Sequence, residues 1–137
     1  MNSQPERLHP LIRDLTDADL ERVNEIEQSA YPYPWTAGIF ADCLRVGYQC
    51  SGLQAGAALI GYAIQSHAAG ECHLLNLCVA PAWQGMGYGS VLLEHAIRVA
   101  RQQQCDRMYL EVRPSNPAGL ALYDSCLLYT SDAADEC

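Results

Sequence analysis

Apolar and polar residues alternate with two different periods along this chain, and the switches between them outline its elements. Leu11–Leu15 reads as a first short strand after a polar, loosely organised start over Met1–His9. Thr16 and Asp19 stand three apart in the manner of a helix capping box. Asp17–Ala30 then carries Leu20, Val23, Ile26 and Ala30 at helical spacing. Tyr31–Trp35 alternates aromatics with prolines and cannot continue the helix. Thr36 is placed to cap a second helix over Ala37–Val46. Tyr48–Leu53, Ala57–Gln65 and Glu71–Val79 read as three strands joined by short glycine-containing turns, a meander. A helical pattern follows, with Leu92, Leu93, Ala96, Ile97 and Ala100 on one face and Glu94, Arg98 and Arg101 on the other, ending near Gln103. Arg107–Arg113 is the next strand, and a helical crossover makes it parallel to Glu71–Val79. Asn116 with Pro117 marks the start of a last helix. The order β-α-α-β-β-β-α-β-α specifies a single α/β domain with a mixed central sheet flanked by helices.

The most informative junction lies between the strand ending at Val79 and the helix that follows. Gly85, Gly87 and Gly89 alternate there. Glycines let a backbone approach a ligand closely, and the unbonded N–H groups of a helix start favour an anion. A phosphate-bearing cofactor is the economical reading. A mononucleotide P-loop is excluded, because Gly89 is followed by Ser90 and Val91 with no lysine. A dinucleotide fingerprint competes more seriously. Glu111, at the end of the next strand, mimics the ribose-binding acid, but the glycine spacing is G-x-G-x-G and the Val79–Gly85 connection is too long for that motif's tight turn.

Composition narrows the classes further. The 137 residues carry a formal charge of −8, a poor balance for nonspecific nucleic-acid binding. Cysteines stand at 43, 50, 72, 78, 105, 126 and 137, with no C-x-x-C pair, so neither a zinc ribbon nor a thioredoxin-type site is supported. A scattered set of this kind suits reduced thiols in the cytoplasm. His9, His67, His73 and His95 show no metal-ligand spacing, and no metal is expected. No apolar run approaches the roughly 18 residues of a membrane helix, so no membrane partner is expected.

Gln84-Gly85-Met86-Gly87-Tyr88-Gly89 fits the Q/R-x-x-G-x-G/A signature of the GCN5-related N-acetyltransferases (GNAT). Three further stretches, Tyr31–Thr36 (YPYPWT), Leu74–Pro81 and Leu110–Tyr123 (LEVRPSNPAGLALY), resemble the ribosomal-protein alanine N-acetyltransferase (RimI-type) branch. The resemblance runs from about Leu11 to Ser125. It implies a sheet whose strands ending at Val79 and Arg113 splay into a V that takes acetyl-coenzyme A. Loop amides of Gln84, Gly85, Met86, Gly87, Tyr88, Gly89 and Ser90 would hold the pyrophosphate. Backbone groups of Leu77, Cys78 and Val79 would hold the acetyl and pantetheine parts. Asn116 would contact the coenzyme, although a helix cap explains it equally. Glu111 would be the general base and Tyr123 the acid that protonates the leaving thiolate. Tyr33 and Trp35 would close over the acceptor, or anchor two helices. The implied reaction is direct attack of an α-amino group, the N-terminal alanine of a small-subunit ribosomal protein, on the thioester. A small amine, another peptide, or a non-catalytic acetyl-coenzyme A-binding module are the rival readings.

Beyond Ser125 the resemblance stops. The family continues with Gly-Phe and a β-hairpin, whereas Cys126–Glu136 (CLLYTSDAADE) resembles a translated sequencing adapter, as read-through would give. The expectation is therefore an acetyltransferase domain over residues 1–125, lacking its last two strands, and a non-native tail over 126–137.

Overall fold

The computed structural model describes residues 9–110. The expected last helix at Asn116, the site residues Glu111 and Tyr123, and the tail lie outside the described residues. Within them, one five-stranded sheet has the order β1-β2-β3-β4-β5, the elements being β1 Leu11–Asp14, β2 Gln49–Ala55, β3 Ala58–Ala68, β4 Glu71–Val79 and β5 Arg107–Leu110. The first four strands pair antiparallel as the meander reading requires, and β5 runs parallel to β4. Helices α1 (Leu20–Ala30) and α2 (Ala37–Arg45) precede β2, and α3 (Tyr88–Gln102) forms the crossover between β4 and β5.

Local chemistry sets these boundaries. Asp19 reaches back to accept from the Thr16 N–H at 2.8 Å and also binds both terminal guanidinium nitrogens of Arg13 at 2.9 Å. The residues between form a single 3-10 turn, Asp17–Asp19, so α1 proper begins at Leu20 rather than Asp17. Thr36 caps α2 by accepting from the Ile39 N–H at 3.3 Å. The two hairpins are tighter than the residue pattern alone suggests. Ala55 pairs with Ala58 and Ala68 with Glu71, leaving two-residue turns in which Gly56, Ala69 and Gly70 have positive φ. Strand β3 therefore runs on to Ala68, three residues past its expected end at Gln65.

Each face of the sheet carries its own core. Helices α1 and α2 cover Cys50, Leu59, Tyr62, Ile64 and Cys78 together with Val23, Ile26 and Phe40. Helix α3 covers Leu53, Ile60, Ala63, Leu74, Leu77 and Val79 with Leu92, Leu93 and Ala96. Gly61 permits the close seating of α3: a Cβ there would stand 2.9 Å from the Cys78 carbonyl oxygen and 3.1 Å from Leu92 Cδ1.

Strand β4 changes parity partway. Ile64 pairs with Asn76 but Gln65 pairs with Leu74, so Leu75 is an extra residue, a β-bulge. Leu74 and Leu77, three residues apart, consequently face the same helix, α3. Among the described residues, the pairing with β5 spans Glu71 to Leu74 and reaches the bulge.

Candidate active site

Beyond the bulge, the Asn76–Val79 stretch of β4 is the arm on which a cofactor site can be built. The Ala80 N–H donates to the Ile60 carbonyl at 2.8 Å, which marks the 60/80 pair as hydrogen-bonded. Antiparallel alternation then gives the same status to Tyr62/Cys78 and Ile64/Asn76, and turns the main-chain groups of Leu77 and Val79 toward the opposite edge. Both carbonyls on that edge already have partners. Tyr31 Oη donates to Leu77 O at 2.9 Å, and the Gln84 side-chain amide donates to Val79 O at 2.9 Å. Strand alternation turns the N–H groups of Leu77 and Val79 to this same edge, away from β3, where they are placed to address a ligand. Two amides at strand spacing can hold an amide-bearing chain or polarise a carbonyl oxygen.

Cys78 stands differently from its two neighbours. Its main chain turns toward β3 and its side chain packs in the α1/α2 core, where Sγ donates weakly to Val79 O at 3.8 Å. The expectation that its backbone holds the cofactor beside Leu77 and Val79 runs against the strand's alternation. A ping-pong role for the thiol is equally poorly served by so buried a position.

The loop between β4 and α3 is a short 3-10 turn, Pro81–Trp83, followed by the glycines. Gly85 and Gly87 have φ of +80° and +88°, and Gly87 is the N-cap residue of α3. A Cβ at either would meet nothing within 4 Å. Glycine is therefore required by backbone conformation, not by crowding within the chain. Helix α3 begins at Tyr88, so Gly89 and Ser90 lie in its first turn rather than in the preceding bend. The amides of a first turn have no intrahelical carbonyl, and Val91 N–H donates to Gly87 O at 3.3 Å to close that turn. Together these groups form an anion-seeking concavity aimed by a fifteen-residue helix. The Gln84 side chain does not point at that concavity: it folds back and closes the loop on β4. Met86 is exposed, and Tyr88 packs edge-on against Trp83 with ring centroids 5.9 Å apart. These residues fit a pyrophosphate-bearing cofactor such as acetyl-coenzyme A.

The aromatic loop divides in the same way. Tyr33 is 84% exposed and reaches into solvent. Trp35 is half-buried against Phe40, ring centroids 5.2 Å apart, and its N–H donates to Glu27 Oε2 at 2.8 Å. Of the two expected acceptor contacts, Trp35 anchors the loop to the core and Tyr33 is presented outward.

Sequence reasoning passed over Glu27 itself. It is wholly buried, and Oε1 accepts from Tyr62 Oη at 2.6 Å and from Asn76 Nδ2 at 3.0 Å. Burial, then the neighbouring Cys78 and Glu27, holds the Tyr62 hydroxyl well above its ordinary pKa, so it remains a donor. A signal was available: Glu27 lies seven residues after Leu20 and four after Val23, on the apolar face of α1. A carboxylate in that position must find partners.

Elsewhere, burial pushes the Cys50 thiol up to about 12 and the Cys72 thiol up to about 11, so neither is a nucleophile at neutral pH. Among the described residues, no group of three or more His, Cys, Asp or Glu side chains is arranged to hold a metal ion. Nor is any described helix long and apolar enough to cross a membrane.

Comparison with known proteins places this geometry. The model of the acetyltransferase (GNAT) family matches residues 14–127. The chain is 35% identical over 114 residues to the [ribosomal protein bS18]-alanine N-acetyltransferase of Escherichia coli K12, covering 83% of this chain and 77% of that one. The crystal structure of the ribosomal-protein-S18-alanine N-acetyltransferase from E. coli superposes with a TM-score of 0.78 at 34% identity, over 86% of this chain and 76% of that chain. The PaiA N-acetyltransferase of Thermoplasma acidophilum, solved with coenzyme A, shares the fold at 19% identity with a TM-score of 0.77, over 86% of this chain and 88% of that one. A glycine loop on a helix start, two strand amides turned away from β3, and these matches agree: the chain belongs to the GNAT acetyltransferase family, and its enzymatic class is N-acetyltransferase.

Proposed function

We propose that the protein transfers the acetyl group of acetyl-coenzyme A to the N-terminal α-amino group of ribosomal protein bS18, acting in the cytoplasm. The observation that carries this reading is the 35% identity to the E. coli enzyme of that activity across most of both chains. The glycine loop before α3 and the Leu77 and Val79 amides support the cofactor half.

In this reading the amine nitrogen attacks the thioester carbon directly, the C–N bond forms and the C–S bond breaks. Glu111 takes the proton from the amine, through water if need be, and Tyr123 returns one to the departing thiolate. Asn116 contacts the coenzyme. A strand amide polarises the thioester oxygen. The acceptor class fits a carboxylate base. An α-amino group titrates near ~8 and a lysine near ~10.4, so the former is much more readily deprotonated at neutral pH. The same reading takes residues 1–125 as the catalytic domain and 126–137 as a tail outside it.

The test is coenzyme A release by the full chain with acetyl-coenzyme A and a peptide carrying the bS18 N-terminus. Glu111→Gln should lower kcat by roughly 10²-fold or more with little change in acetyl-coenzyme A affinity, and Tyr123→Phe should act in the same direction. Wild-type turnover by either variant removes that residue from the mechanism. Turnover with small amines but not with the peptide would move the acceptor. Binding of acetyl-coenzyme A without any turnover would make the chain a binding module. Deleting Cys126–Cys137 should leave the thermal midpoint nearly unchanged; a large drop would make the tail part of the fold.

A further inference from the structure

The two oxygens of Glu27 are divided between two parts of the molecule. Oε1 takes Tyr62 of β3 and Asn76 of β4, and Oε2 takes the main-chain N–H of Trp35 in the loop after α1. A second bond runs in parallel, from Tyr31 at the start of that loop to the Leu77 carbonyl. We propose that Glu27 is a positioning residue: from inside the core, its carboxylate fixes the Tyr31–Trp35 loop in register with the Asn76–Val79 arm of β4. The acceptor loop and the cofactor-facing arm of β4 then share one buried group, with the Tyr31–Leu77 bond beside it. This rests on the acceptor reading given above.

Three features favour positioning over simple support. The residue is wholly buried among apolar neighbours, where a well-packed hydrophobic side chain is often as stabilising as a buried charge or more so. Stability alone therefore does not call for a carboxylate. Its partners are also unlike one another in place. Among the described residues they include two side chains of the sheet and a loop amide eight residues further along the chain, so these bonds bridge elements rather than tie one element together. Finally, Asn76 immediately follows the bulge residue Leu75. The contact thus grips β4 where the strand leaves its regular pairing, next to the Leu77 and Val79 amides. The loop that presents Tyr33 to solvent is tied at its Trp35 end to that same point.

The experiment uses the full chain and two conservative variants. Glu27→Gln keeps the shape but has one acceptor oxygen where the carboxylate has two, and Glu27→Asp keeps both acceptors on a shorter stem. Amide hydrogen exchange should be at least about tenfold faster at Trp35 in both, with interior β3 and β4 amides unchanged. The KM for the bS18 N-terminal peptide should rise about tenfold while the KM for acetyl-coenzyme A stays within about twofold, Asp being the milder of the two. Unchanged Trp35 exchange in a folded variant overturns the proposal. So does faster exchange without a rise in acceptor KM, or a parallel loss of both substrates. Failure of both variants to fold overturns it too, since a group that the fold itself requires is not a positioning group. A wild-type chain that does not acetylate the peptide would instead refute the acceptor reading, and Trp35 exchange alone would then decide whether Glu27 holds the loop.

Discussion

The two faces of the sheet are built on different principles. Under α3 the core is mostly aliphatic, with Leu53, Ile60, Leu74, Leu77, Leu92 and Leu93 in one cluster, and the wholly buried Gln65 amide beside Leu74 bonds to Ala96 O at 3.1 Å. Under α1 and α2 the core encloses a carboxylate that accepts from both a phenol and a carboxamide. Non-directional burial, with the Gln65 bond beside it, presses α3 onto the sheet, and the task of this face is to present the helix's own N-terminal turn. Hydrogen bonds carry direction, so the other face can fix where a loop lies relative to a strand. The cofactor side is set by helix geometry and the acceptor side by a polar network.

That contrast can be broken by measurement. The largest effect is expected on the aliphatic face: Leu92→Ala, at a fully buried position, should cost about 2–5 kcal/mol in urea unfolding. Tyr62→Phe should cost less, about 1–3 kcal/mol, since it removes one donor from Glu27 and leaves volume nearly intact. If Tyr62→Phe proved as costly as Leu92→Ala, the polar face would be bearing the fold and the distinction would fail. Gly87→Ala should cost about 1–2 kcal/mol through its left-handed backbone alone, there being open space for the methyl group. Weaker acetyl-coenzyme A binding by calorimetry should accompany that loss, and unchanged affinity in the folded variant would detach the loop from the cofactor.

The smallest effect concerns the surface. The Arg13 guanidinium bonded to Asp19 lowers that carboxyl to about 2. A carboxyl depressed on folding stabilises the native state above its unfolded value and loses that contribution as pH falls through its folded value. Asp19→Asn should therefore be less stable than wild type by about 1 kcal/mol at neutral pH, with the gap closing between about pH 4 and pH 2. A gap independent of pH would mean that the capping contact matters and the charge does not.

How much of this was legible in the sequence varied with the physics involved. Thr16, Asp19 and Thr36 announced their helices because caps are local, and the meander followed from glycines at the turns. The fold class and the parallel β5 followed from element order. Strand β4 carries a short apolar run, Leu74, Leu75, Leu77, Cys78 and Val79, broken only by Asn76, for a reason that the sequence hides: the Leu75 bulge reverses which residues face α3, so residues three apart share a core. Glu27 was overlooked because its partners Asn76 and Tyr62 are 49 and 35 residues away, and no local pattern couples them. The roles of Leu77 and Val79 against Cys78 likewise depend on strand register, which spacing within one strand cannot supply.

The crossover through α3 also has a consequence for the order in which the chain folds. Strands β2, β3 and β4 join through two-residue turns and can zip together from contacts close in sequence. Strand β5 must wait for α3 and its loop, with Glu71 meeting Arg107 only after the intervening chain is organised. Closing so long a segment before its contacts reward it is slow. Substitutions in the β3–β4 hairpin should therefore slow folding, whereas those in β5 should mainly hasten unfolding. The glycine loop lies within this later-closing segment, so a competent cofactor cradle signals that the β2–β3–β4 meander is already in place.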